Sequence, residues 1–275
     1  MFLPILSLLL IAGISSCKKI ANGNNAEKGQ FPFVGSYQYK GEHYCGCTII
    51  SNYWVLTAAH CIETTQRINK FDKQQLSIVA GITNLIIDDS QKQVRLVRKQ
   101  FVHHGYNNKT LINDLGLIVV WSGFNFDNGV TNIKYSRKSK YPLMIVVGWG
   151  YLESSYEKSS PKLQYAIGHQ ILNEECNSVL ISTLTKPIQV TYEMICIVGY
   201  KNQGQTTCNG DSGGPLLSFS DGYHLVGIIS WDVKPCGLVG KPSVSTLIYP
   251  YLNWIDCISY YQNIEMCKFV SIEKN

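Results

Sequence analysis

The sequence predicts an all-β fold in two halves, closed by a C-terminal helix. Short apolar runs recur with turns every ten or so residues, a rhythm that fits a barrel or a sandwich. A stretch rich in Asn, Gly, Ser and Lys, Ser122 to Tyr141, separates these runs into two groups and reads as a linker. Pro250 suits a first helical turn, and Tyr251, Trp254, Ile255 and Ile258 after it share one face.

At the N-terminus, Leu3 to Ile14 is an apolar run that ends in the small residues Gly13-Ile14-Ser15-Ser16, which suit signal-peptidase cleavage. It is too short to span a bilayer comfortably. Residues 1–16 therefore read as a signal peptide, and the product as secreted. Lys18-Lys19 before Ile20-Ala21-Asn22-Gly23 is a dibasic site whose cleavage would free the amine of Ile20, making 17–19 a short propeptide. The rest, 20–275, is one domain with halves 20–130 and 131–275.

The first half reads as strands over Phe31–Tyr39, Cys47–Ile50, Trp54–Thr57, Leu76–Val79, Val94–Val97 and Leu115–Trp121. The second reads as strands over Leu143–Val147, Leu163–Ile171, Met194–Val198, Pro215–Phe219, Leu225–Ser230 and Ser243–Leu247. Asn173 before Glu174 and Glu175 is the expected cap of one short helix.

Composition excludes several classes. With 45% hydrophobic residues among 275, the chain is long and apolar enough for a packed core, not a disordered one. The net charge of +5 is spread along the chain with no block of like charges, so nucleic acid is not an expected partner. Ten cysteines in a secreted chain read as disulfides. Cys45-Gly46-Cys47 lacks the two-residue spacer of common zinc sites, and His103 and His104 are adjacent, so no metal is expected.

Three segments each set one polar residue in an apolar frame: His60 in Thr57-Ala58-Ala59-His60-Cys61, Asp114 in Ile112-Asn113-Asp114-Leu115, and Ser212 in Cys208-Asn209-Gly210-Asp211-Ser212-Gly213-Gly214-Pro215. The last is a tight turn whose backbone N–H groups can face a developing oxyanion. A serine nucleophile needs a base to take its proton and an acid to hold that base in one tautomer. Asp114, His60 and Ser212 supply one of each.

On these motifs, with Ile20-Ala21-Asn22-Gly23, Gly148-Trp149-Gly150 and Ser230-Trp231, the chain resembles the chymotrypsin/trypsin-like serine proteases from Ile20 to about Ile258. Gly148 to Glu153 looks most like arthropod, and especially mite, trypsin-like enzymes. The resemblance implies two antiparallel β-barrels with the active site between them and a zymogen that cleavage after Lys19 activates. Ser212 would be the nucleophile, His60 its base and Asp114 the orienting acid. Gly210 and Ser212 would form the oxyanion hole, and Asp211 would pair with the freed amine of Ile20. His43 matches a histidine that serves packing and the zymogen state. Cys45 with Cys61, Cys176 with Cys196 and Cys208 with Cys236 match family bridges. A further common bridge is missing at both ends, where Met144 and Ser218 stand. Cys17, Cys47, Cys257 and Cys267 are left with three pairings open, Cys257 with Cys267 being the most local. Cys47 replaces a glycine usual in the family.

The expected partners are protein or peptide substrates and protein protease inhibitors, acting on a monomer away from membranes. No cofactor is implied, since Ile82 follows Val79-Ala80-Gly81 where calcium-binding members carry Glu. Thr206 stands where trypsins place the pocket-floor Asp, so a basic side chain would there be buried without a partner. Asp232 and Ser243 add bulk where open pockets have glycine. Asp232 either obstructs a large side chain, attracts a basic one, or points to solvent. Asn209 rims the same pocket, lined further by Ser230 and Trp231. Asn108-Lys109-Thr110 is a glycosylation sequon.

Two other readings compete. A catalytically impaired relative would keep the fold and use its cleft to bind a partner. An α/β-hydrolase would need an acid and then a histidine after the serine, and His224, with Asp221 three residues before it, is the only histidine there.

Overall fold

The computed structural model describes residues 23–68, 73–87, 89–126, 129–138, 140–151, 158–185, 188–200 and 207–270. The expected signal and activation segments, Ile20, Leu152, Glu153 and Thr206 lie outside the described residues.

A short strand β1 (Asn24–Asn25) precedes a closed antiparallel barrel of β2 (Val34–Tyr39), β3 (Glu42–Ile49), β4 (Trp54–Thr57), β5 (Leu76–Ala80), β6 (Gln93–Val102) and β7 (Gly116–Val120). Its strands run in the order β2-β3-β4-β7-β6-β5, with helix α1 (Ala59–Ile68) between β4 and β5. The second half holds β8 (Lys134–Tyr135), β9 (Met144–Gly148), β10 (Gln164–Ile171), α2 (Asn173–Thr183), β11 (Met194–Gly199), β12 (Pro215–Phe219), β13 (Tyr223–Asp232) and β14 (Ser243–Leu247). There β9-β10-β11-β14-β13-β12 close a second six-stranded barrel through the β12–β9 pairing, and β1 and β8 add to β10 and β13. The chain ends in α3 (Leu252–Tyr261) and α4 (Ile264–Cys267). The fold is thus two antiparallel barrels with a C-terminal helix.

The departures from expectation are local. β3 begins at Glu42 because Lys40 (φ 53°) and Gly41 (φ 81°) make the two-residue turn whose twist suits a hairpin with β2. β6 extends to Val102 through a bulge between Val97 and Lys99, where the exposed neighbours Arg98 and Lys99 break the two-residue period. Helix α1 was not among the elements expected from the sequence. Within it the Thr64 and Thr65 hydroxyls donate back to the carbonyls of His60 and Ile62. Asn173 does not cap α2. It is the first helical residue, and its Nδ2 donates to the carbonyls of Thr191 and Met194, stitching the helix to β11.

Leu252, Trp254, Ile255 and Ile258 are buried in the same core cluster as the first barrel's Leu56, Ile62 and Phe101. Trp254 also packs edge-on against His103, just past β6, so α3 lies against the first half. The hydroxyl of Tyr251 donates to Asn113 Oδ1 at 2.7 Å, tying this end of the chain to the residue before Asp114.

Among the described residues four disulfides join Cys45–Cys61, Cys176–Cys196, Cys208–Cys236 and Cys257–Cys267. Met144 and Ser218, the pair without a bridge, face each other in register across β9 and β12. Cys47 is a buried free cysteine directly opposite Gly35 on β2, and a Cβ on Gly35 would lie 2.7 Å from its sulfur. The bulk added at 47 is thus absorbed by its cross-strand glycine. Burial pushes the Cys47 thiol above its ordinary range, which keeps it protonated. Among the described residues no helix is long and apolar enough to cross a membrane.

The Cys45–Cys61 bridge closes a loop of 16 residues. Replacing both cysteines by alanine should lower the unfolding free energy by about 3 kcal/mol in chemical denaturation, from the lost constraint on the unfolded chain. A loss under about 1 kcal/mol would refute that origin.

Candidate active site

The site lies where the two barrels meet, and glycine makes the meeting close. Gly213 (φ 81°) and Gly214 follow Ser212 in a turn that presses on the first barrel. A Cβ on Gly213 would lie 2.2 Å from Thr57 Oγ1, and one on Gly46 would lie 2.7 Å from the Cα of Gly214. Backbone thus touches backbone, and Gly46 N–H donates to the Ser212 carbonyl at 2.8 Å. Cys45-Gly46-Cys47 is therefore a strand with a contact glycine at its centre.

His60 opens α1 at the end of β4, and Asp114 stands just before β7. The Asp114 carboxylate is fully buried. Its Oδ1 accepts the His60 backbone N–H at 2.9 Å, and its Oδ2 faces His60 Nδ1 at 2.7 Å. Because a carboxylate only accepts, Nδ1 carries the proton and Nε2 is left basic. Oδ2 also accepts from the Ser230 hydroxyl at 2.5 Å. Ser230 can reach it because a bulge in β13 between Ile229 and Trp231 turns the side chain toward the first barrel. Burial works against a charged His60, but the charge and hydrogen bond of Asp114 override it, so the imidazole is more basic than usual.

Ser212 is half-buried, and its hydroxyl donates to the Ser230 carbonyl at 3.4 Å. Among the described residues no hydrogen bond joins it to His60, whose Nε2 lies 3.7 Å from Cys61 Sγ. Cys45, His60 and Cys61 sit close enough for a metal, but the two sulfurs form a disulfide.

The turn is pinned peptide by peptide. The Asn209 carbonyl accepts from Tyr151 N–H, and the Asp211 carbonyl from Gly214 N–H. In a trans peptide the N–H points away from its carbonyl, so Gly210 N–H and Ser212 N–H are turned to the opposite side. Asp211, Gly213 and Gly214 N–H all bond to carbonyls, whereas Gly210 and Ser212 N–H have no acceptor among the described residues. His43 holds the next link. Its Nε2 donates to the Gly210 carbonyl at 3.0 Å and its Nδ1 accepts from the Ser36 hydroxyl at 2.8 Å. Burial lowers its pKa to about 4, partly offset by the Gly210 bond, and keeps it in this neutral form.

Asp211 explains Gly148-Trp149-Gly150. Its buried carboxylate accepts from Gly150 N–H at 2.7 Å and from Cys208 N–H at 2.9 Å. A Cβ on Gly148 or Gly150 would lie 2.2 or 2.3 Å from its oxygens. No cation bonds it among the described residues, and burial pushes its pKa up to about 7 despite those two donors.

Beside Ser212 a pocket of about 150 Å3 is lined by Thr207, Asn209, Ile229, Trp231, Asp232 and Lys234, among others. Asp232 does not point to solvent, since its side chain is only 6% exposed. Ser243 is buried and joined to Thr207 Oγ1 at 3.0 Å. Lys234 was not singled out from the sequence, although its place two residues after Asp232 was a readable signal. Two larger concavities, about 680 Å3 each, flank Tyr141 on the second barrel and hold none of Ser212, His60 and Asp114. The acid and histidine that a hydrolase of the other type would need are misplaced: Asp221 is in the β12–β13 turn and His224 pairs with Ser218, at the far end of the hairpin from Ser212.

Two closed barrels with serine, histidine and a buried aspartate gathered at their junction define the trypsin-like class of serine protease folds. Residues 20–255 match the trypsin family, and the chain belongs to it. It is 35% identical over 264 residues to lectizyme of Glossina austeni, covering 90% of this chain and 89% of the relative. It is 32% identical to trypsin I-P1 of Gallus gallus, covering 86% and 88%. Neuropsin, a serine protease expressed in the limbic system of mouse brain, superposes with a TM-score of 0.73 at 29% identity, covering 86% of this chain and 98% of that one. Nothing in these relatives singles out the mite enzymes.

A carboxyl held near 7 in the fold but near 3.8 in an ordinary setting stabilises fully below about pH 4, and that contribution is lost as the pH climbs through 7. With the chain uncut, the unfolding free energy should fall more steeply with pH than in Asp211→Asn, by up to about 1.4 kcal/mol per pH unit between pH 5 and 6.5. Parallel pH curves for the two proteins would refute an unpaired Asp211.

Proposed function

We propose that this chain is a secreted serine endopeptidase, made as a precursor and activated by cleavage after Lys19. What carries the reading is the bonding of Asp114, which takes both the backbone N–H and Nδ1 of His60 and so leaves Nε2 as a base beside Ser212. In the reaction the Ser212 hydroxyl rotates from the Ser230 carbonyl toward Nε2 as a peptide enters. Oγ then bonds to the scissile carbonyl carbon while its proton passes to Nε2. The carbonyl electrons move onto oxygen, which the free N–H groups of Gly210 and Ser212 receive. His60, now charged and stabilised by Asp114, gives the proton to the leaving amine as the C–N bond breaks. A water, deprotonated in turn by His60, cleaves the acyl-enzyme and restores Ser212.

Asp211 supports the activation step. A carboxyl that is buried, supported by backbone N–H groups and without a bonded cation is where the freed amine of Ile20 would form an ion pair. Its charge would then be held, and with it the Asn209–Gly214 turn. Secretion is supported by the apolar N-terminal run and by four disulfides, which form in oxidising compartments. Asn209, Ser230, Trp231, Asp232 and Ser243 form the substrate face, with Thr206 at the pocket floor. Asn108 is exposed, as a glycosylation acceptor must be. The finer likeness to mite enzymes rests on Gly148 to Glu153 alone.

Material cleaved to begin at Ile20 should form a covalent adduct with a fluorophosphonate at Ser212, located by peptide mass mapping. Absence of that adduct would favour the impaired relative that only binds. Asp114→Asn should lower kcat by about 10^4-fold with the adduct site unchanged, because the imidazole would then adopt the wrong tautomer. Lys19→Gln should keep the secreted chain inactive, and activity with residues 19 and 20 still joined would sink the precursor scheme.

A further inference from the structure

Resting on the protease reading, we propose that Lys234 sets the primary specificity by occupying Asp232, so that the pocket beside Ser212 takes small uncharged side chains and rejects basic ones. Lys234 Nζ lies 2.8 Å from Asp232 Oδ1, and Thr207 Oγ1 donates to Asp232 Oδ2 at 3.3 Å. Each carboxylate oxygen therefore has a partner before a substrate arrives. Thr207 Oγ1 also reaches Ser243 Oγ at 3.0 Å, so Thr207 links Ser243 to the carboxylate.

A buried acid in a serine protease pocket would ordinarily invite an arginine or lysine. Here the internal lysine competes for it from two residues away, and a tethered group has a far higher effective concentration than a dilute substrate. A basic side chain entering the pocket would have to displace Lys234 or be desolvated with no partner, and either costs binding. A small uncharged side chain disturbs nothing, and a space of about 150 Å3 between Trp231, Ile229 and the Asp232–Lys234 pair suits it. The pair is lopsided in a way that makes Lys234 the movable member, since its side chain is 46% exposed against 6% for Asp232. Removing the lysine should leave a carboxylate that an incoming cation can neutralise.

The test uses protein cut at Ile20, with active sites counted by fluorophosphonate titration, and peptides differing only in the residue before the scissile bond: Ala, Val, Arg or Glu. Wild-type protein should prefer Ala or Val over Arg in kcat/KM by at least about tenfold. Lys234→Met, which keeps the stem, should raise the Arg-to-Ala ratio by at least about tenfold, and adding Asp232→Asn should abolish that gain. A titratable enzyme that already prefers Arg, that prefers Glu, whose ratio is unchanged by Lys234→Met, or whose gain survives the loss of Asp232 would overturn this assignment alone. No titratable site in the wild type would overturn the protease reading and this assignment with it.

Discussion

The rest of the structure depends on the contact between the Asn209–Gly214 turn and the first barrel. Two separately closed barrels share no strand ladder, so whatever they hold between them is only as well placed as the surfaces that touch. Here those surfaces are backbone. Gly46 and Gly214 approach where a Cβ would leave 2.7 Å, Gly213 fits against Thr57, and the Gly46 N–H donates to the Ser212 carbonyl. His43 adds a side-chain clamp from the first barrel to the Gly210 carbonyl. The serine is thus positioned by the second barrel's chain but locked by the first, which also carries His60 and Asp114.

Three buried or nearly buried carboxylates surround this junction, and each is compensated differently. Asp114 is supplied with hydrogen-bond donors from both barrels, the His60 N–H groups and the Ser230 hydroxyl. Asp232 has a lysine of its own. Asp211 has two backbone donors and no bonded cation among the described residues, and its proton affinity rises accordingly. Burying a carboxylate is costly in proportion to what it lacks, so the three sites grade from settled to poised. The settled one holds the His60 imidazole, the internally paired one lines the pocket beside Ser212, and the poised one sits under the turn that carries Ser212.

Support for the site extends well beyond the residues that face the cleft. Tyr251 from the end of the chain holds Asn113 beside Asp114, and Thr246 of β14 donates to the Asp114 carbonyl. Trp254 of the C-terminal helix packs edge-on against His103, just past β6. The aspartate's position is therefore set by chain segments from both halves, which is how a residue on a loop comes to be as fixed as one on a strand.

The sequence by itself determined the strand rhythm, the two halves, the C-terminal helix and the three polar residues framed in apolar segments, because alternation, turn residues and local motifs are properties of neighbouring residues. It also determined that Gly210 to Gly214 is a backbone-exposing turn. What it missed includes α1, in which threonine hydroxyls bond back to helix carbonyls, and the role of Asn173, which is drawn away from capping to the carbonyls of Thr191 and Met194, 18 and 21 residues on. Only the tertiary structure decided what Gly46 and Gly148-Trp149-Gly150 are for, since the atoms that exclude a Cβ there lie some sixty or more residues away in sequence. The same holds for Cys47, accommodated by Gly35 across the strand pair, and for Asp232, whose meaning changed once Lys234 and Thr207 were beside it. A carboxylate's role is set by what stands within hydrogen-bond reach, and that neighbourhood exists only after the barrels have closed and met.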